Sequence, residues 1–337
     1  MKYFTTAYDI PDVSELIQEA IALKNNPNRF SEIGKQLTLG LVFMNPSLRT
    51  RLSTQKAAQQ LGMNTLIVNS STDGWTLEFG NSPMNGTSVE HIKEAAGVMG
   101  EYCDIIGVRS FPSLTDREKD EREEILLQWM KHSGKPIISL ESATRHPLQS
   151  LADMMTIMEN SIPNNLGKKK PKVVLTWAPH VKAVPHAVAN SFSEWMKFMD
   201  AEFVIACPDE VRLNEEYTSH AAITNNQDEA LEGADFVYVK SWAEWNHYGK
   251  HFSSNEDWLL NKKKLSLTND AKIMHCLPVR RDVEIQSEIL EGKNSLVMQQ
   301  AANRVYAAQT VLKNMIETNY PAVSENVKAK QLQAIQL

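Results

Sequence analysis

Leu39-Gly40-Leu41-Val42-Phe43-Met44-Asn45-Pro46-Ser47-Leu48-Arg49-Thr50-Arg51 is a short apolar run that breaks at Asn-Pro and passes into a helix-forming segment. An apolar run of this length, bounded by turn residues, reads as a buried strand, and the segment after it as a helix. The same alternation repeats along the chain. Further strands are expected at Thr65–Asn69, Asp104–Val108 and Pro136–Leu140, with helices at Arg51–Leu61 and at Ser88–Tyr102, where Ser88 offers an N-cap. A long helix is expected over Pro147–Asn160, with proline in its first turn. Beyond the polar connection Ile162–Lys172 the pattern resumes. Strands are expected at Val173–Trp177, Phe203–Ala206, Phe236–Val239 and Lys272–Cys276, and helices at Pro185–Met199, Asp282–Leu290 and Gln299–Asn319.

Alternating strands and helices imply parallel sheets covered by helices. The expectation is an α/β protein of two doubly wound parallel-sheet domains joined by long helices. The first domain would span residues 1–150 and the second 151–298, with a C-terminal helix from about 299, within 299–337, packing back on the first. The residues from Val323 onward read as loosely held. In such folds ligands sit at the carboxyl ends of strands, where the strand order reverses, so the residues after each strand carry the functional reading.

Bulk composition narrows the classes. With 337 residues and 42% hydrophobic content the chain can bury two cores, and 23% charged residues is an ordinary globular level. A net charge of −6 argues against general binding to nucleic acid or to a membrane surface, while allowing a local basic pocket. No apolar run approaches the roughly 18 residues needed to span a bilayer, and the N-terminus has no signal-peptide core. The 3 cysteines, Cys103, Cys207 and Cys276, are far apart and odd in number, so neither a disulfide framework nor a CxxC metal pair is expected. A reducing, cytoplasmic compartment is the simplest reading.

The turn after the first strand can hold a phosphate. A helix start offers unpaired N–H groups and the positive end of the helix dipole. Ser47 and Thr50 add hydroxyls, and Arg49 can grip oxygens through two N–H groups. The alternative is a capped helix with solvated arginines. No Walker lysine motif and no GxGxxG follows any strand, which disfavours nucleotide and dinucleotide enzymes.

Ser47-Leu48-Arg49-Thr50-Arg51 resembles the carbamoyl-phosphate motif of the aspartate and ornithine transcarbamylases. Further matches follow in order: Gly107-Val108-Arg109, His146-Pro147-Leu148-Gln149 with Leu151-Ala152-Asp153, His275-Cys276-Leu277-Pro278, and Asn303-Arg304. The resemblance implies that Ser47, Leu48, Arg49, Thr50, Trp75, Arg109, His146, Pro147, Leu148, Gln149, Cys276, Leu277 and Arg304 form the carbamoyl-phosphate site. Thr50, Arg109 and His146 would polarise the carbonyl, and Cys276 would lie against the attacking amine. Carbamoyl transfer needs oriented substrates, exclusion of water and oxyanion stabilisation, and neither cofactor nor metal. Taken singly, His146 would be a structural histidine, Cys276 a small buried hydrophobe and Trp75 a core or partly exposed aromatic. By the resemblance, the Trp75 loop reaches a neighbouring subunit's site, which implies a homotrimer.

The second substrate is narrowed by charge. Ordinary ornithine transcarbamylases place an aspartate and a Ser-Met-Gly turn where this chain has Lys240-Ser241-Trp242. A lysine there would repel a free α-ammonium and suit a carboxylate. Thr176-Trp177-Ala178-Pro179-His180 and Val279-Arg280-Arg281 resemble the branches that act on N-acetylornithine and N-succinylornithine. Glu141, His180, Lys240 and Arg280 would then bind the acylornithine, with Lys182 and Asn190 as secondary contacts. Val89 stands where the acetyl branch has glutamate and the succinyl branch proline, and so lacks the acid that would repel a succinyl carboxylate. The acetyl branch carries a lysine, carboxylated in that family, where this chain has Glu284. The expectation is N-succinylornithine as acceptor, on the route to arginine. The alternatives are the acetyl substrate, free ornithine, a dehydrogenase on the same architecture and a non-catalytic relative.

Overall fold

In a computed structural model of the chain, residues 1–70, 72–81, 83–161, 170–254, 257–323 and 325 are described. The chain divides into two compact units. One comprises residues 1–111, 121–148 and 304–337, and the other 112–120 and 149–303.

The first unit is built on a five-stranded sheet formed by β1 (Tyr3–Phe4), β2 (Thr38–Phe43), β3 (Asn64–Asn69), β6 (Ile105–Arg109) and β7 (Ile137–Glu141). Two short strands, β4 (Leu77–Glu78) and β5 (Glu90–His91), pair with each other outside it. The five-stranded sheet has the order β1-β7-β6-β2-β3, with every pairing parallel. From β2 the chain steps outward to β3 and then reverses to β6 and β7. The switch point therefore lies between the carboxyl ends of β2 and β6, at Asn45–Arg51 and Arg109.

The second unit repeats the plan with β8 (Lys172–Trp177), β9 (Glu202–Ala206), β10 (Ala222–Thr224), β11 (Phe236–Lys240) and β12 (Lys272–Met274). Their order is β10-β9-β8-β11-β12, again all parallel, with the reversal between β8 and β11. The foot of each sheet is closed by one aspartate. Asp104 accepts the Thr38 N–H at 2.8 Å and Asp235 the Lys172 N–H at 2.9 Å, where a ladder partner is missing. At Gly107, in the middle of β6, a Cβ would lie 3.0 Å from a Leu140 methyl, so the residue must stay small.

Several expected boundaries move for identifiable reasons. The second helix is Leu48–Gln60, three residues earlier than its pattern suggests, because Ser47 caps it. The Ser88 cap is not used. Glu90–His91 pairs as a strand, and the helix Ile92–Tyr102 is capped instead by the His91 ring. The helix expected over Asp282–Leu290 is only Ser287–Leu290, because Asp282 adopts a left-handed φ of 60° and its carboxylate binds Ser287. β12 stops at Met274, since the next N–H, of His275, is taken by the Gln300 side chain at 2.9 Å. The helix expected at Pro185–Met199 is Ala187–Met196. The edge strands β1 and β10 are too short to show alternation, while the helix Val13–Asn25, not among the expected elements, buries Val13, Leu16, Ile17, Ala20 and Leu23 at helical spacing behind an Asp12 cap. The connection expected over Ile162–Lys172 lies mostly outside the described residues, as does most of the segment after Val323. No helix among the described residues is long and apolar enough to cross a membrane.

Candidate active site

Four elements of the first unit bring charge to the end of its sheet. Ser47, in extended conformation, accepts the Thr50 N–H at 3.3 Å and opens the helix Leu48–Gln60. Thr50 is buried, and its hydroxyl accepts from an Arg304 Nη at 2.8 Å. Arg109 ends β6, and one Nη donates to the Asn45 and Pro46 carbonyls at 3.1 and 2.5 Å. Its other Nη meets Glu141 Oε2 at 2.8 Å, with both side chains under a tenth exposed. Asn45 Oδ1 accepts the Phe111 N–H at 2.7 Å, which fixes the turn against the strand after Arg109. The turn is therefore held in place, and the cations beside it, Arg109 and Arg304, are buried, as an anion site requires.

His146 lies next to this cluster, its Nε2 3.6 Å from Glu141 Oε2, beyond a good hydrogen bond. Burial, reinforced by the positive charges of Arg304 and Arg109, pushes its pKa well below the ordinary 6.5. The imidazole is therefore neutral near pH 7 and can donate to a carbonyl oxygen without carrying charge of its own. Buried polar atoms without a protein partner among the described residues include Arg49 Nε, Arg109 Nε and His146 Nδ1. Leaving such groups unbonded costs about 1–3 kcal/mol each, and two of them, on Arg109 and His146, lie together beside Glu141, as a ligand site would have them.

The second unit gathers its own polar set around the carboxyl ends of β8, β11 and β12. Gln149 Nε2 donates to Asp153 at 2.8 Å, one helical turn on, and Gln300 Nε2 donates to the same oxygen at 2.7 Å. Gln300 in turn receives the His275 N–H at 2.9 Å, so the Gln149 and His275 motifs are tied through one aspartate. Tyr238, buried beside Asp153 and Cys276, has its pKa raised by burial first and then by the Asp153 carboxylate. His275 Nδ1 accepts the Leu277 N–H at 2.9 Å, which leaves Nε2–H facing Glu284 at 3.4 Å. Leu277 itself is left-handed and joined to Pro278 by a cis bond.

Glu284 also accepts the Arg280 N–H at 2.7 Å. Burial works against its charge, but the His275 bond and the positive groups around it prevail and lower its pKa. The Arg280 Nε–H points at His180 Nε2, 3.0 Å away, so His180 carries its proton on Nδ1, which donates to the Lys182 carbonyl at 2.9 Å. Burial is the main reason that its pKa is lowered, and Lys240 and Arg280 add to it. Lys240 ends β11 opposite Trp177 and is only 7% exposed, with Nζ bonded to the Ser241 carbonyl at 2.8 Å. A buried ammonium held by one carbonyl is suited to an anionic ligand.

Of the residues singled out in the sequence, Ser47, Arg49, Thr50, Arg109, Glu141, His146 and Arg304 fall in the first-unit cluster. Gln149, His180, Lys240, Cys276, Leu277 and Arg280 fall in the second. Pro147 and Leu148 start a helix and are buried, so only their backbone can face a ligand. Leu48 is exposed, and Asn190 is buried within the helix Ala187–Met196. Trp75 and Val89 are 54% and 63% exposed. Trp75 Nε1 is bonded to Glu90 at 2.8 Å, and the Val89 N–H to the Thr76 carbonyl at 3.0 Å. Lys182 is exposed and contributes its carbonyl. The roles of Asp153, Tyr238, Glu284 and Gln300 were not assigned from sequence. Asp153 has a sequence signal in Leu151-Ala152-Asp153, one helical turn after Gln149, and Glu284 in standing where the acetyl branch has lysine.

A large cleft of about 820 Å³ in the second unit lies over Pro208–Glu210, Asn225–Asp228 and Phe252–Ser254, none of which belongs to these motifs. Size alone does not mark the site here; convergent buried charge does.

The family described as aspartate/ornithine carbamoyltransferase, carbamoyl-P binding domain, matches residues 3–159, and its Asp/Orn binding domain matches residues 185–315. The chain belongs to the aspartate/ornithine carbamoyltransferase family. It is 44% identical over 320 residues to an N-succinylornithine carbamoyltransferase of Bacteroides fragilis, covering 94% of this chain and 99% of that protein. An N-acetylornithine carbamoyltransferase of Xanthomonas campestris is 32% identical over 95% of this chain and 99% of its own length. Among solved structures, an N-acetyl-L-ornithine transcarbamylase variant complexed with PALAO superposes with a TM-score of 0.85, at 31% identity, over 94% of this chain and all of that one. Other solved variants of that enzyme, with one glutamate replaced by alanine, serine, valine or proline, are complexes with carbamyl phosphate and N-succinyl-L-norvaline. The expected two-domain α/β architecture with parallel sheets is therefore borne out, and the chain is a carbamoyltransferase by family.

Proposed function

We propose that this protein transfers the carbamoyl group of carbamoyl phosphate to the δ-amine of N2-succinyl-L-ornithine, giving N-succinyl-L-citrulline and phosphate. The observation that carries the acceptor is Lys240, a buried cation at the carboxyl end of β11. An α-ammonium brought to such a group would meet like charge at a cost of several kcal/mol, whereas an acylated α-nitrogen is neutral and leaves the α-carboxylate to pair with it. Arg280, whose Nε donates to His180 Nε2 at 3.0 Å, extends the same positive lining.

In the first unit, the helix start at Ser47–Thr50 and the guanidinium groups of Arg49, Arg109 and Arg304 hold the phosphate. Thr50, Arg109 and neutral His146 polarise the carbonyl. The neutral δ-amine attacks the carbonyl carbon, the C–O bond to phosphate breaks, and the leaving phosphate takes the amine proton. The protein supplies orientation and electrostatic stabilisation, and no covalent intermediate is required.

Two observations favour succinyl over acetyl. Identity is 44% to the succinylornithine enzymes against 32% to the acetylornithine enzymes. By the family resemblance, Val89 replaces the acetyl branch's glutamate; we take that glutamate to be the one replaced in the N-succinyl-L-norvaline complexes. We further propose that Val89 and the exposed Trp75 act at the active site of a neighbouring copy in a homotrimer, and that the enzyme works in the cytoplasm on the route to arginine. The deciding assay follows citrulline-type product from carbamoyl phosphate with N-succinylornithine, N-acetylornithine and ornithine in parallel. Turnover is expected with the succinyl substrate foremost. Turnover of free ornithine alone would overturn the acylornithine reading, and a preference for the acetyl substrate would overturn the Val89 argument.

A further inference from the structure

His146, which polarises the carbonyl in the proposed function, and Glu141, which pairs with Arg109, are joined by the four-residue turn Ser142-Ala143-Thr144-Arg145. The turn has no apolar side chain larger than the Ala143 methyl to anchor it, yet Glu141, Ser142 and Thr144 are buried at the sheet end. One internal bond closes it, from the Ser142 N–H to the Arg145 carbonyl at 2.8 Å, and the Ser142 hydroxyl accepts the Arg145 N–H at 3.2 Å. Those bonds shape the turn, and the Ser110 N–H on the Glu141 carbonyl at 2.9 Å holds its first end to the sheet.

Beyond that end, residues 142–144 are held by Glu123. This residue caps the helix Glu124–His132 without a capping bond, and its backbone is left-handed, with φ 52° and ψ 38°. For a glutamate that conformation is strained by about a kcal/mol or more, and such strain gathers at functional sites. It aims the side chain at the turn. Glu123 Oε1 accepts the Ser142 hydroxyl at 2.5 Å, the Thr144 N–H at 2.8 Å and the Thr144 hydroxyl at 2.5 Å; Oε2 accepts the Ala143 N–H at 3.1 Å. Arg145 is bonded to the same Thr144 hydroxyl at 3.1 Å. Four donors from three consecutive residues thus converge on one carboxylate. Only an acceptor-only group can satisfy all four, so a glutamine would turn an N–H₂ toward donors.

We propose that Glu123 is a positioning residue for carbamoyl transfer: it holds the Ser142–Arg145 turn so that Glu141 and His146 keep their placement beside Arg109. The Arg109–Glu141 bond of 2.8 Å and the Glu141–His146 separation of 3.6 Å depend on where that turn begins and ends. The Ser47–Thr50 phosphate turn lies on a different element and does not contain Glu123's partners, so loosening the turn harms orientation at the carbonyl before it harms phosphate binding. This role rests on carbamoyl transfer at these residues and not on which acylornithine is the acceptor.

The test compares Glu123→Gln, the double variant Ser142→Ala with Thr144→Val, and Glu124→Gln as a neighbouring control. Assays run well below each variant's Tm with carbamoyl phosphate and N-succinylornithine. A displacement of up to about an ångström at a catalytic group can cost on the order of a hundredfold, so kcat is expected to fall about 10- to 100-fold in E123Q. A smaller fall is expected in the double variant, with KM for carbamoyl phosphate changed less than threefold in both. The control should match wild type. A fall in Tm with kcat unchanged would overturn the proposal, because a merely structural carboxylate would show that pattern. Crystal structures of wild type and E123Q read the same claim without turnover. An unmoved Glu141–His146 pair in E123Q would overturn it even if the wild type acted on no acylornithine, an outcome that would overturn the function reading separately.

Discussion

Replacing Arg109 with alanine should cost stability and activity by separable routes. The guanidinium makes three bonds, two to carbonyls of the Asn45–Pro46 turn and one to Glu141. In Arg109→Ala the Glu141 carboxylate, 7% exposed, loses its cationic partner while staying buried. Breaking a buried ion pair from one side typically costs about 3–5 kcal/mol, because the remaining charge is uncompensated. At about 2–4 °C per kcal/mol for a unit of this size, the transition of the first unit should fall by about 6–20 °C. Adding Glu141→Gln removes the stranded charge and should restore at least half of that loss, leaving the cost of the two carbonyl bonds. Activity behaves differently. Loss of one donor aimed at a developing oxyanion lowers kcat about 10²–10³-fold, and the second substitution cannot restore it. Calorimetry on wild type, R109A, E141Q and the double variant gives the coupling directly. Strict additivity of the two Tm changes would refute the buried-pair reasoning. A double variant with recovered activity would refute the role at the carbonyl.

Val89→Glu should move preference from the succinyl toward the acetyl substrate by about tenfold to a hundredfold in relative kcat/KM, since a like charge in a closed site costs a few kcal/mol. Unchanged selectivity would show that position 89 does not read the acyl group. His186, whose Nε2 donates to the Ala243 carbonyl at 2.8 Å, has its pKa lowered by burial to about 4. The unfolded chain, with an ordinary value near 6.5, binds the extra proton first, so this group's contribution to stability is present above pH 6.5 and is lost as pH falls toward 4, by about 3 kcal/mol in all. Denaturant unfolding of His186→Gln should therefore fall less steeply between pH 6.5 and 4 than wild type, and an identical slope would refute the assignment.

The core strands were legible because parallel strands buried on both faces are near-continuous apolar runs, and Leu39–Phe43, Ile105–Val108 and Val173–Trp177 are such runs. The phosphate turn was legible for a related reason: a helix start next to hydroxyls and arginines is a local feature, visible within one stretch of five residues. The edge strands Tyr3–Phe4 and Ala222–Thr224 were not, being two and three residues long and stabilised by neighbours distant in sequence. Element ends moved wherever a side chain took over a backbone group, as at Ser47, Asp282 and His275.

By itself the sequence determined the alternation that forces two parallel sheets, the order of the phosphate and acceptor motifs, and the sign of the charge at Lys240. These are properties of residue type and spacing, fixed before folding. Tertiary structure alone decided that Arg109 is neutralised by Glu141, that His146 stays uncharged, that one aspartate joins Gln149 to the His275 strand, and that Glu123 holds the turn between two site residues. The reason is that desolvation and hydrogen bonding depend on which groups share a buried volume, and Glu123 and Thr144, or Asp153 and Gln300, come to share one only when the chain has folded.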